Sequence, residues 1–381
     1  MIRVMHIDAG NMYGGVETFL VSLARYRSLC PEMDPEFAVC FEGRLASDLA
    51  KTGVWVHRLS EVRSRNPLSI YHARKRLGRL LARGRTDVVV CHMPWVQAMF
   101  GPVVRKHGLP LVCWLHGASE GKHWIERWAS RTRPDLVFCN SNFSMRGVVG
   151  IFPRAKGRVL YYPVANEHEN PDPGARAALR AEFATDADST VIIQVSRLER
   201  WKGHTFHLDA LAKLRDLPGW TCWIVGGPQR SDEVTYNSEL KDKAIALGLA
   251  DRIRFLGQRA DVAKLLGAAD IFCQPNTAPE PFGIVFVEAM FAQLPVVTTA
   301  LGGAVEIVDE RCGVAVEPGN VDALSSALRH LIVDEGARSR LGAAGKTRAE
   351  QLCGVESQMN RLFRELSSLA GVCSHDRSRS A

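Results

Sequence analysis

The sequence contains no apolar run of about 18 residues, the length at which a helix becomes a candidate to cross a bilayer. It opens on no leader pattern either, since MIRVMHIDAG runs directly into a strand-like alternation. The expectation is a cytoplasmic protein with neither signal peptide nor membrane span. No C-x-x-C pair occurs, and the ten cysteines stand singly in apolar runs such as VVVCH, LVCWL and IFCQ. That pattern points to buried reduced thiols, away from disulfides and metal sites. Short repeats and low-complexity tracts are missing, apart from a polar tail, SHDRSRSA, expected to be disordered. No nucleic-acid-binding motif is present, so no nucleic acid partner is expected.

What is present fits a two-domain protein. A chain of 381 residues exceeds the size of one growing core. Apolar β-rich runs at IRVMHI, FAVCF, DVVVCH, PLVCWLH, DLVFCNS and RVLYYP alternate with helical stretches, the mark of a parallel sheet covered on both faces. The pattern breaks at the polar NEHENPDPGARA and restarts at TVIIQVSR, TCWIVGG, RIRFLGQ, DIFCQPN, PVVTTA and GVAVE. We therefore expect two doubly wound, Rossmann-like α/β domains joined by a linker near residues 166–175, with ligands outside the carboxyl ends of the strands, in a cleft between facing domains.

Charge is uneven. Residues 1–170 hold 24 Lys and Arg against 14 Asp and Glu, a balance of +10; the remainder holds 24 against 27, or −3. Eight of the cations fall in residues 63–85, which contain no acid, and Ile70, Ala73, Leu77, Leu80 and Leu81 recur there at helical spacing. This basic amphipathic helix reads either as a solvated face or as a patch for an anionic membrane surface or another polyanion.

Residues 280–288 read EPFGIVFVE, two acids enclosing apolar side chains. Pro281 and Gly283 place the helix start near Ile284, so Glu280 precedes an N-terminus and Glu288 sits about a turn inside it, where an anion is favoured. Arg197 and Lys202, in SRLERWKGH after the first strand of the second domain, make a pyrophosphate clamp. Gly14 and Gly15, in DAGNMYGGVETFL after the first strand, form a turn that also lets backbone approach a phosphate or sugar. His116 ends another strand on the expected ligand edge.

These segments together resemble the retaining glycosyltransferases of family 4. The resemblance runs from the G-G loop through VSRLERWKG, GLADRIRFLGQ, ADIFCQPN and EPFGIVFVEAM to PVVTTALGGAVEIV. It implies the two-domain GT-B fold, with an acceptor domain over residues 1–170, a donor domain over 171–354 and a C-terminal helix near 355–370 crossing back to the first domain. It implies transfer of a sugar from a nucleoside-diphosphate donor to a glycan, lipid-linked or small-molecule acceptor, with retention, no cofactor and no obligatory metal. By position, Glu288 would bind ribose and Glu280 the donor sugar, while Arg197, Lys202 and the N–H groups of Phe282, Gly283, Ile284 and Val285 would hold the diphosphate. Gly15 would approach the distal phosphate, His116 would lie beside the transferred sugar, and Gln258 and Arg259 would flank the base. Where many members have a P-N-G turn before the linker, this chain reads YYPVANE. An epimerase of the same fold, or a basic polyanion-binding module, is the alternative; the second leaves EPFGIVFVE without a role.

Overall fold

The structure, a computed structural model, describes residues 1–11, 14–63, 65–167 and 173–377. The chain divides into two compact units, Met1–Val164 with the segment that begins at Cys353, and Ala165–Leu352. Residues 168–172 of the expected linker lie outside the described residues.

In the first unit the strands are β1 (Ile2–Asp8), β2 (Met33–Val39), β3 (Val56–Arg58), β4 (Val88–His92), β5 (Leu111–Leu115), β6 (Leu136–Cys139) and β7 (Lys156–Val159). They pair in parallel in the order β3-β2-β1-β4-β5-β6-β7. β4 and β5 are buried along their whole length, which is why VVVCH and LVCWL carry no polar alternation. The sequence reading missed β3: three residues at the sheet's edge, two half-buried and one exposed, leave no apolar run to find.

The second unit holds β8 (Thr190–Val195), β9 (Trp220–Val225), β10 (Ile253–Gly257), β11 (Ile271–Gln274), β12 (Val296–Thr299) and β13 (Gly313–Val316), all parallel, in the order β10-β9-β8-β11-β12-β13. Strand order reverses between β1 and β4 in one sheet and between β8 and β11 in the other, and ligands of such sheets bind at that reversal.

The C-terminal helix Val355–Arg377 belongs to the first unit. Its Met359, Leu362 and Leu366 are buried, Val164 N donates to Cys353 O at 2.9 Å, and Arg361 Nη2 donates to Val159 O at 3.3 Å. The first four residues of the polar tail, expected to be disordered, continue this helix; residues 378–381 lie outside the described residues. No helix among the described residues is long and apolar enough to cross a membrane. The nine cysteines whose side chains are described are buried.

The basic stretch folds as the helix Pro67–Leu81, capped by Asn66 Oδ1, which accepts from Leu68 N at 3.1 Å and Ser69 N at 3.2 Å. Ile70, Ala73, Leu77 and Leu81 are buried on the sheet side, with Leu80 only partly covered. Arg74 departs from the cationic face: its guanidinium donates to Met99 O at 2.6 Å and Ala98 O at 3.1 Å, capping carbonyls of the neighbouring helix. Lys75, Arg76 and Arg79 remain exposed, as do Leu68 and Tyr71.

Candidate active site

In the second unit the loops after β8 and β11 are tied together. Gly203 ends the first of them at φ +75°, and a Cβ there would lie 1.8 Å from Pro275 O, so only glycine lets the two backbones meet. Gln194 Nε2 donates to Lys202 O at 2.9 Å, and Thr277 N donates to Trp201 O at 2.8 Å. The result is a direct contact between two residues that the sequence singled out separately. Lys202 Nζ donates to Glu280 Oε2 at 2.5 Å, both side chains about nine-tenths covered, and Asn276 Nδ2 donates to the same oxygen at 3.3 Å.

Glu280 is set by backbone as well. It forms an isolated parallel bridge with Gly302, and Gly303 N donates to Glu280 O at 2.6 Å. A Cβ on Gly302, at φ +68°, would come within 2.3 Å of that same oxygen. The G-G of LGGAVE therefore positions Glu280, a task the motif's spacing did not disclose.

Gly283 caps the helix Ile284–Phe291 at φ +90°, where a Cβ would strike the Phe286 ring at 2.4 Å. Phe282 is buried, and the first-turn N–H groups of Ile284 and Val285 have no acceptor within the helix by its geometry. Glu288 lies one turn further on and is half-buried. Burial, and then the Glu167 carboxylate, push its carboxyl up to about 7, so at neutral pH it is poised between its two forms.

Arg197 is one-third exposed, and its Nη1 lies 3.0 Å from Glu199 Oε1, a carboxylate that also meets Arg230 at 3.6 Å and accepts from Trp201 Nε1 at 2.9 Å. Each cation of the expected clamp thus carries a carboxylate partner, Glu199 for Arg197 and Glu280 for Lys202. Glu199 went unread in the sequence because a charge among charges in a loop has no periodic signal. Gln258 follows β10 and is exposed. Arg259, beside it, is held within its own unit, paired to Asp261 at 2.8 Å and to Glu182 at 3.2 Å.

In the first unit Gly14 caps the helix Gly15–Arg25, and its N–H donates to Glu17 Oε2 at 2.8 Å. This donor, expected to face a phosphate or sugar, is engaged by a capping carboxylate. Met12 and Tyr13 of the same loop lie outside the described residues. His116 follows β5 and is buried; both ring nitrogens bond inward, to His92 at 2.8 Å and to the Tyr162 hydroxyl at 2.5 Å.

Comparison with known proteins agrees with this layout. Residues 13–168 match the family model described as Glycosyltransferase Family 4, and residues 175–348 match that described as Glycosyl transferases group 1. A D-inositol 3-phosphate glycosyltransferase from Mycobacteroides abscessus is 39% identical over 263 residues, 64% of this chain and 58% of that protein. A GDP-mannose-dependent alpha-(1-6)-phosphatidylinositol monomannoside mannosyltransferase from Mycolicibacterium smegmatis is 30% identical over 292 residues, 71% of this chain and 74% of that protein. Among solved structures, Anabaena Alr3699/HepE in complex with UDP and glucose has a TM-score of 0.84 at 26% identity, covering 97% of this chain and 100% of that one. With the two parallel sheets, Glu280 ahead of the helix that bears Glu288, and the Arg197 and Lys202 loop in place, these matches show that the chain belongs to glycosyltransferase family 4 and has the GT-B fold.

Proposed function

We propose that this chain moves a hexosyl group from a UDP- or GDP-linked sugar to a hydroxyl of a glycan, lipid-linked or small-molecule acceptor, with retention at the anomeric carbon. The observation that carries the reading is the covered Lys202–Glu280 pair, its Glu280 four positions before the start of the helix Ile284–Phe291. In it a cation for the leaving diphosphate touches the carboxylate assigned to the donor sugar. Arg197, Lys202 and that N-terminus supply positive charge where negative charge develops. They do the work a metal performs in other transferases, so no obligatory metal is assigned. The acceptor attacks on the face the diphosphate leaves, and a phosphate oxygen takes its proton. Glu280 acts as a hydrogen-bond acceptor for sugar hydroxyls.

Thermal shift with UDP and GDP tests the donor class: a ligand at a hundred times its dissociation constant should stabilise the fold by about 2.7 kcal/mol. The two glutamates separate by their effects. Glu288→Gln should weaken binding of the free nucleoside diphosphate, whereas Glu280→Gln should leave it nearly intact and damage transfer. Because the Glu288 carboxyl stands at about 7, the parent's nucleotide affinity should rise between pH 6 and 8 as the carboxylate forms. That rise should shrink in Glu288→Gln to what the diphosphate's own ionisation gives. Isothermal titration across this range checks both statements; equal affinity losses for the two variants would contradict the assignment.

The exposed face of the helix Pro67–Leu81 supports a further part of the reading, peripheral docking on an anionic membrane. Leu68 and Tyr71 stand exposed beside Lys75, Arg76 and Arg79, and each cation near such a surface contributes about 1 kcal/mol. Changing Lys75, Arg76 and Arg79 to glutamate should abolish co-sedimentation with phosphatidylserine vesicles at low salt while transfer to a soluble acceptor survives. Arg74 is left intact in this test because it caps the Met99 and Ala98 carbonyls. Parent protein that ignores such vesicles would make the helix a solvated face.

A further inference from the structure

Three histidines and a tyrosine form one buried line in the first unit. His6 Nδ1 lies 3.0 Å from His92 Nε2, His92 Nδ1 lies 2.8 Å from His116 Nε2, and His116 Nδ1 lies 2.5 Å from the Tyr162 hydroxyl. The four come from β1, the end of β4, the turn after β5 and the segment after β7, so only the sheet order brings them together. Phe37 stacks on His6, and Trp114 stacks on His92 and His116. The proposed transfer uses neither His6, His92 nor Tyr162.

A neutral imidazole has one N–H and one lone pair. Each nitrogen-to-nitrogen contact needs one of each, so the line is satisfied only when all three rings share a polarity, every Nδ1 or every Nε2 protonated. A mixed set turns two lone pairs or two N–H groups on each other, leaving buried groups unsatisfied at a cost of about 1–3 kcal/mol each. Asn140 bears on which polarity is adopted. Its Nδ2 donates to His116 O at 3.0 Å, an atom that only accepts, and to the Tyr162 oxygen at 3.1 Å. The phenol oxygen, already taking that proton, offers His116 Nδ1 its own O–H in preference to a second lone pair. His116 Nε2–H then donates to His92, His92 Nε2–H donates to His6, and the line ends at His6 Nε2, which has no partner among the described residues.

We infer that His6, His92 and Tyr162 are positioning residues that lock the His116 ring in its Nε2–H tautomer and hold the turn after β5 in place. The inference rests on the reading that His116 lies beside the transferred sugar. Two substitutions test it: Tyr162→Phe removes the hydroxyl on His116 Nδ1, and His6→Phe removes the ring nitrogen two rings away from His116. In the parent, long-range ¹⁵N–¹H spectra of the imidazoles should show His6, His92 and His116 as Nε2–H tautomers. Both variants should shift His116 toward the other tautomer, and kcat should fall about tenfold while the donor KM stays within about twofold. Should Tyr162→Phe fail to fold, His6→Phe carries the same test. An unchanged His116 tautomer in His6→Phe would make the rings independent core residues and overturn the lock. A shifted tautomer with parental kcat would overturn the positioning role. A parent that turns over no nucleotide sugar overturns the functional reading, and with it the role given to His116, and is distinguishable because the spectra need no turnover.

Discussion

Lys202→Ala should lower turnover by roughly 10²-fold or more, the usual effect of removing one partner of a charge that develops in the transition state. Arg197→Ala should act in the same direction. The two differ in what they do to the fold. Arg197 is one-third exposed and leaves behind Glu199, which keeps Arg230 and the Trp201 indole as partners. Lys202 leaves the covered Glu280 carboxylate with Asn276 as its remaining side-chain partner among the described residues. Breaking a covered pair from one side costs about 3 kcal/mol or more, so Lys202→Ala should melt measurably lower, whereas Arg197→Ala should melt near the parent. Single-turnover rates beside thermal melts separate the effects. Rates within twofold of the parent for both variants would remove the clamp from the mechanism.

Acidification should unfold the first unit before the second. Burial lowers His6 and His116 to about 3 and His92 well below the ordinary histidine value in the first unit. In the second unit it lowers His204 to about 4 and His207 to about 3. A histidine whose folded pKa is depressed gives stability that is complete above about 6.5 and is lost as pH falls toward the folded value, because only the unfolded chain takes up the proton. Asp8 and Glu288, raised to about 7 chiefly by burial, act oppositely and gain stability as pH falls from 7 toward 4. At pH 4.5 the buried histidines cost stability, and the two raised carboxyls return part of it. The first unit sets three such histidines against Asp8 and the second two against Glu288, so the first has more stability to lose. Against a typical total of about 5–15 kcal/mol, hydrogen exchange between pH 7 and 4.5 should show protection failing first in β1, β4 and β5. Equal protection in both units at pH 5 would contradict the count.

The sheet strands of the second unit were legible because each is an apolar, β-branched run of four to six residues bounded by turn residues. β3 was not, since a three-residue edge strand buries too little to leave a pattern. The start of the helix at Ile284 was legible from Pro281 and Gly283, and the order of cations in SRLERWKGH pointed at a phosphate. Partner choice was not: Glu199 for Arg197, Asp261 for Arg259, Glu17 for the Gly14 N–H and backbone carbonyls for Arg74 are fixed by chain packing, and spacing holds no record of them.

The sequence by itself determined the alternation of strands and helices, the break between two α/β halves and the residue types at the ends of the strands. These depend on contacts within about 10 residues, on periodicity and on turn chemistry, all local and all written in the chain. The tertiary structure alone decided that Lys202 meets Glu280 across 78 positions and that Gly302 and Gly303 hold the Glu280 backbone. It also aligned His6, His92, His116 and Tyr162 in one buried line. The physical reason is strand order: a parallel sheet whose sequence neighbours are separated by crossovers brings residues from distant strands to the same edge, and that order is set by packing of whole elements against one another.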